Sequence, residues 1–161
     1  METLAEIRGS TGEARTLGLG DGVIRDFLES DPSLSRAIEE ASDNFQSLKG
    51  DLGGKLFEMG ETDLVSELQS DYVNFYKAPT VNPYVAIAAR GPWIITSHGA
   101  VLHDNGGYGM LGFGHAPENV LAAVSDRATG AVLPRQSEAT HQALNVIIHT
   151  LAPVGLVGYL V

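Results

Sequence analysis

A glycine-rich loop is the first stretch of the sequence whose residue types could bind a ligand. Residues 106–115 read GGYGMLGFGH, and Gly107 to Gly112 match the G-x-G-x-x-G pattern of dinucleotide-binding loops. In those loops a strand delivers the pyrophosphate to a helix that begins inside the glycine motif. Here five residues separate Gly112 from the next helical pattern, and the preceding strand belongs to a hairpin. We therefore reject a dinucleotide site.

The five histidines are the candidate metal ligands. His98 and His103 fall on the predicted hairpin beside Asp104, and His141 and His149 are eight residues apart, on one face of a predicted helix. Facing histidine and carboxylate side chains can bind zinc. None of these residues has the H-x-x-x-H spacing of a zinc helix, and isolated histidines commonly act as half-buried polar groups. We assign no metal site.

Nucleophilic catalysis has no support in the sequence. The chain contains no cysteine, and no G-x-S-x-G motif surrounds a serine. Ser97 falls in a predicted turn, and Ser137 has the position of a helix N-cap. We therefore name no catalytic residue.

Charge and hydropathy exclude two further classes of partner. The 161 residues carry 20 acidic and 10 basic side chains, a formal charge of −10, and the basic residues are scattered. Phosphate backbones need a basic stripe, so no nucleic acid is expected. The apolar tract 143–161 contains Asn145, His149 and Pro153, which favour buried protein over a membrane span. Without a signal-peptide pattern at the N-terminus, we expect a cytoplasmic protein.

Two amphipathic patterns predict an acidic helical region over residues 1–75. After Asp31, a suitable N-cap, and Pro32, apolar residues recur in steps of four and three along one helix face. They are Leu34, Ile38, Ala41, Phe45, Leu48 and Leu52. A second stripe follows Gly60, at Leu64, Leu68, Tyr72 and Phe75. Two prolines within Tyr76 to Ala89 predict an extended linker, placed at 76–92.

The last part of the chain, 93–161, is predicted to be a small hairpin and helix unit. Two β-branched runs, Trp93 to Thr96 and Val101 to Asp104, flank a turn in which Gly99 supplies a positive φ. Helices are predicted from Pro117 and from Ser137, and a buried strand over 154–161. The predicted fold class is α+β, an acidic helical region followed by this unit.

The stretch from Gly91 to Val124 resembles the N-terminal signature of class III aminotransferases, which are pyridoxal-phosphate enzymes of fold type I. That family shows a glycine before a hairpin, a leucine–aspartate pair, a loop of small residues, and Leu-Gly-His-x-His-Pro before a helix. The matching residues here are Gly91-Pro92-Trp93, Ser97-His98-Gly99, Leu102-His103-Asp104, Gly106 to Gly109, and Leu111 to Pro117. One histidine remains where the family has two, one residue is gained or lost there, and the turn has His-Gly instead of Asp-Gly. The resemblance implies a fold like the N-terminal domain of those enzymes.

The resemblance also implies a function and a place for the glycine-rich loop. The parent enzyme would use pyridoxal phosphate to transfer an amino group between an amine or amino acid and a keto acid or aldehyde, as a homo-oligomer with its active site at a dimer interface. The loop would lie close to cofactor and substrate through Gly106, Gly107, Tyr108, Gly109, Gly114 and His115.

The catalytic lysine of such enzymes lies well after this signature, whereas Lys49, Lys55 and Lys77 all precede it. We therefore expect the chain to be truncated before the cofactor-binding large domain, and inactive alone. An alternative hypothesis is a non-catalytic interaction or oligomerisation module derived from the same family, whose acidic helices dock a partner.

Overall fold

A computed structural model describes residues 1–70, 82–105 and 112–125. Within these ranges the chain is an α+β fold of six helices and one three-stranded antiparallel sheet. The elements are α1 (Glu2–Gly9), α2 (Asp21–Leu28), α3 (Pro32–Leu52), α4 (Gly54–Phe57), α5 (Glu61–Gln69), β1 (Ala86–Arg90), β2 (Trp93–Thr96), β3 (Val101–His103) and α6 (Glu118–Ser125).

Helix α3 forms as its sequence pattern predicts. The Asp31 carboxylate accepts a hydrogen bond from the Ser33 amide at 2.8 Å, and Pro32 occupies the first turn. The apolar stripe of α3 is buried at Leu34, Ile38, Ala41 and Phe45, where it packs on β1 and β2. The Asn44 amide nitrogen also donates to the Ile87 carbonyl at 2.7 Å, so the helix is fixed to the sheet by a polar contact as well.

The predicted hairpin is confirmed. Strands β2 and β3 pair antiparallel, with Trp93 opposite His103 and Ile95 opposite Val101. Gly99 has φ +73°, and a Cβ there would lie 2.7 Å from the Arg8 side chain, so the turn requires glycine for both conformation and space. The sheet order is β1-β2-β3, which places the hairpin beside the strand that precedes it.

The predicted linker contains a strand of the core. Residues 86–90 are extended as expected, but they form β1, paired with β2 and buried at its first four positions. Alanine and isoleucine can be buried on both faces of a strand, and the prolines that indicated a linker, Pro79 and Pro83, both precede β1. The prediction of a surface linker is therefore wrong for this part of 76–92.

One hydrophobic core joins the regions that the sequence divided. Side chains from α1, α2 and α3 pack in the same cluster as Ile87, Trp93, Ile95 and Val101. A boundary between a helical extension 1–75 and a separate unit from 93 therefore does not describe how these residues pack. The predicted helix from Ser137 and the strand over 154–161 lie outside the described residues.

Among the residues that the structure describes, no helix is long and apolar enough to cross a membrane.

Candidate functional site

The predicted loop residues divide into two groups. Gly106, Gly107, Tyr108 and Gly109 lie outside the described residues. Gly114 and His115 lie inside them, in the segment that leads into α6. The candidate site is therefore centred on His115.

The backbone of His115 is paired with that of Gly91. The His115 amide donates to the Gly91 carbonyl at 2.7 Å, and the Gly91 amide donates back to the His115 carbonyl at 3.0 Å. Gly114 has φ +74°, and a Cβ there would lie 2.9 Å from Gly91 Cα. Only a glycine allows this close approach of the two chain segments. Ala116, the next residue after His115, has an unusual φ of +46°.

The His115 side chain forms a pair with Asp104. The ring is 5% exposed, and its Nε2 lies 2.9 Å from Asp104 Oδ2. Because an ionised carboxylate only accepts, Nε2 carries the proton of this bond. The other ring nitrogen, Nδ1, is buried and has no hydrogen-bond partner within the part of the chain that the structure describes. Nδ1 is thus able to accept a proton or a hydrogen bond from a ligand, or, in the charged ring, to donate one.

His115 lines a cleft of about 670 Å³ between three elements. Ser33 and Arg36 come from the start of α3, Arg90 from the end of β1, and Glu118 from the first turn of α6. A cleft of this volume suits a small organic molecule. The cleft is lined by two guanidinium groups, one carboxylate and the His115 ring. Its lining is therefore more positive than the chain as a whole, which has a net charge of −10.

Ion pairs hold the charged residues of the cleft. Arg36 pairs with Glu118, and Arg90 Nε donates to Glu40 Oε2 at 2.8 Å. A second guanidinium nitrogen of Arg90 lies 3.9 Å from Glu118. The side chains of Arg36 and Glu118 are 58% and 63% exposed, so water screens their attraction and the pair is readily exchanged.

The Ser97–His98 pair is a buried structural contact. Since a carbonyl cannot donate, His98 Nε2 donates to the Met59 carbonyl at 3.0 Å, and Nδ1 accepts from Ser97 Oγ at 3.0 Å. Both side chains are buried: Ser97 is fully buried and His98 is 2% exposed. The pair therefore ties the hairpin turn to the α4–α5 connection and presents no nucleophile.

The hairpin histidines do not assemble a metal centre. His103 is exposed, its Nδ1 lies 2.6 Å from Asn105 Oδ1, and its ring packs edge-on against Trp93. In ranges 1–70, 82–105 and 112–125, no group of three or more histidine, cysteine or acidic side chains could hold a metal ion. His141 and His149 lie outside these ranges.

Sequence reasoning missed several residues of the cleft and one contact. Ser33, Arg36 and Arg90 carry no local motif, and they meet His115 only because α3 packs across β1. Asp104 continues the hairpin pairing through its amide, which donates to the Pro92 carbonyl at 2.7 Å. Its bond to His115 spans 11 residues and has no signal in either segment alone.

Comparison of the chain with protein-family models, with curated proteins and with solved structures finds no match.

Proposed function

We propose that the chain is the N-terminal part of a pyridoxal-phosphate-dependent aminotransferase of class III type. The substrate pair is an amine or amino acid with a keto acid or aldehyde, and the enzyme is a homo-oligomer. The observation that carries the proposal is the pairing of Gly91 with His115. Gly91 and His115 stand at the two ends of the segment that contains the hairpin and the glycine-rich loop of the resemblance. Their pairing therefore supports treating 91–115 as one unit.

The order of elements supports the same proposal. Hairpin β2–β3 is followed by the Gly114-His115 segment, then Pro117 and helix α6, as in the signature that the sequence resembles. In this proposal, residues 106–115 line the mouth of the active site and carry out no proton transfer.

The described residues do not fit covalent binding of pyridoxal phosphate. Lys49 lies on α3, with its amine 5.8 Å from the centre of the Phe45 ring, and Lys55 lies on α4. Neither residue lines the cleft beside His115. Lys77 lies outside the described residues. No step of amino transfer is therefore assigned to these side chains, and the proposal places that chemistry elsewhere in the parent enzyme.

The proposal is tested by the visible absorption of the protein purified from its native source after addition of pyridoxal phosphate. The recombinant 161-residue chain is the matched control. We expect a protein-bound band in the native sample that an added amine substrate changes, and only the spectrum of free cofactor in the control. A native sample without a bound band would overturn the proposal and favour the interaction module.

A further inference from the structure

We propose that the cleft lined by Arg36, Arg90 and His115 binds a small molecule that carries an oxyanion, either a carboxylate or a phosphate. His115 also belongs to the loop that the proposal above places at the active-site mouth, but anion binding in this cleft does not depend on the amino-transfer function. It is built entirely from described residues of this chain.

The buried ring nitrogen of His115 supports an anion site. A buried polar atom without a partner is costly, and such atoms in folded proteins generally have a hydrogen-bond partner or a functional reason to lack one. Nδ1 has no partner in the described residues, while Nε2 is held by Asp104. Because Nε2 is bonded to that carboxylate, Nδ1 of a protonated ring is the nitrogen left to donate to an anion, and His115 is among the residues that line the cleft.

The arrangement of the two guanidinium groups also supports an anion site. Arg36 comes from α3 and Arg90 from β1, yet both line the same cleft as His115. Arginine has five N–H donors in a planar fork suited to carboxylate and phosphate oxygens. Arg90 uses its Nε for Glu40, and its terminal nitrogen lies 3.9 Å from Glu118. A ligand oxyanion can therefore be held by the outer edge of Arg90.

The exposed Glu118 carboxylate lies beside both guanidinium groups, where a ligand oxyanion would bind. Glu118 is paired with Arg36 and lies 3.9 Å from Arg90, whose closer partner is Glu40, so one exposed carboxylate competes for both guanidinium groups. Its exposure makes its displacement by a ligand oxyanion inexpensive. Glu118 thus competes with a ligand oxyanion for the two guanidinium groups, and removing its charge is expected to tighten anion binding.

The negative charge of the whole chain means that anion binding must depend on local donors. A chain of charge −10 repels anions in general, so anion binding has to come from a local arrangement of donors. The first turn of α6, whose residues Glu118 and Asn119 line the cleft, adds the partial positive charge of a helix start. Ser33 adds a hydroxyl donor from α3.

The test is a titration of the isotope-labelled 161-residue chain with inorganic phosphate, and separately with acetate, followed by NMR of the His115 ring nitrogens and the backbone. We expect saturable shifts at His115 and at residues 33–36, 90–91 and 118–120. Tighter binding of phosphate assigns a phosphate-bearing ligand, and tighter binding of acetate assigns a carboxylate. Absence of saturable shifts at these residues with either anion overturns the site.

Two substitutions at exposed residues, with opposite expected effects on anion affinity, make the test specific. R36Q is expected to weaken binding roughly three- to tenfold, because one charge-assisted hydrogen bond is lost. E118Q is expected to tighten it roughly two- to fivefold, because the competing carboxylate is removed. The matched controls are R25Q and E67Q, which change the same charges at exposed positions on α2 and α5. Equal effects of cleft and control substitutions would show non-specific charge attraction and contradict the proposal.

The two proposals fail separately. The anion titration uses neither pyridoxal phosphate nor any chain beyond these 161 residues, whereas the absorption test depends on both. H115N removes the ring and is expected to abolish the saturable shifts at residues 33–36. If that variant unfolds, R36Q and E118Q still decide the outcome.

Discussion

Trp93 Nε1 donates a hydrogen bond of 2.7 Å to Asp31 Oδ2, which joins strand β2 to the start of helix α3. The other oxygen of the same carboxylate, Oδ1, accepts from the Ser33 amide at 2.8 Å. One side chain therefore caps the helix and fixes the buried indole. The hydrogen bond from Trp93, followed by that from Ser33, lowers the pKa of Asp31 from its ordinary value of 3.8, against the opposing effect of burial.

D31A is expected to lower the free energy of unfolding by about 2 to 3 kcal/mol, the sum of a lost N-cap and a lost hydrogen bond to a charged acceptor. Urea denaturation followed by the fluorescence of Trp93, the single tryptophan, measures the change. D26A on the exposed side of α2 is the matched control and should change stability by less than about 0.5 kcal/mol. Equal stability of D31A and D26A would show that the carboxylate bridge contributes nothing.

Stability should fall at low pH through Asp31. Because its pKa is lower in the folded chain than its ordinary value of 3.8, the folded state favours the ionised carboxylate. This contribution is fully present above pH 3.8 and is lost as the pH falls through the folded pKa below it. The difference in unfolding free energy between wild type and D31N should therefore be constant near neutral pH and shrink in acid. Urea titrations at a series of pH values measure it, and a difference that grows in acid would reverse the assigned sign.

G114A should separate the two chain segments that pair at Gly91 and His115. Its Cβ would meet Gly91 at 2.9 Å with φ at +74°, so we expect a loss of about 1 to 3 kcal/mol in unfolding free energy. The NMR signal of His115 Nε2 should also move, since its bond to Asp104 depends on this backbone position. G112A is the matched control, because a Cβ there meets nothing within 4 Å. The account fails at this point if both variants behave alike.

H98L should destabilise the chain by about 2 to 4 kcal/mol, because the Met59 carbonyl and the Ser97 hydroxyl lose their buried partner. H103L, at an exposed ring that packs on Trp93, is the comparison and should cost under about 1 kcal/mol. Thermal melts with and without a chelator should coincide for wild type, since both His98 nitrogens are occupied. A melting temperature that falls with chelator would restore the metal hypothesis.

Local patterns predicted the elements well where a single segment contains its own reason to fold. The Asp31 cap with the stripe from Leu34 to Phe45 predicted α3, and the glycine turn predicted β2–β3. These signals act within a few residues, through backbone hydrogen bonds and the burial of one face. Strand β1 was missed as a strand because its first four residues are all apolar, without the alternation of a half-buried strand. Their burial comes from packing against α3.

The candidate site was predicted only in part, because its chemistry depends on contacts between distant segments. The sequence drew attention to Gly114 and His115 through a resemblance, but Asp104, Arg36 and Arg90 join them only in the folded chain. Glu61 shows the same limit. It is fully buried, and its Oε2 accepts from the amides of Arg15 and Thr16 at 2.7 and 2.6 Å, a clamp that no local pattern indicates.

The most direct test of the proposed function is to reduce the native protein with borohydride in the presence of pyridoxal phosphate and to map the modified lysine by mass spectrometry, with the intact mass beside it. The account predicts a chain that begins with these residues, has a mass above that of 161 residues, and carries the adduct on one lysine other than Lys49, Lys55 and Lys77. An intact mass of 161 residues without a specific adduct would contradict it, and so would a specific adduct on any of those three lysines.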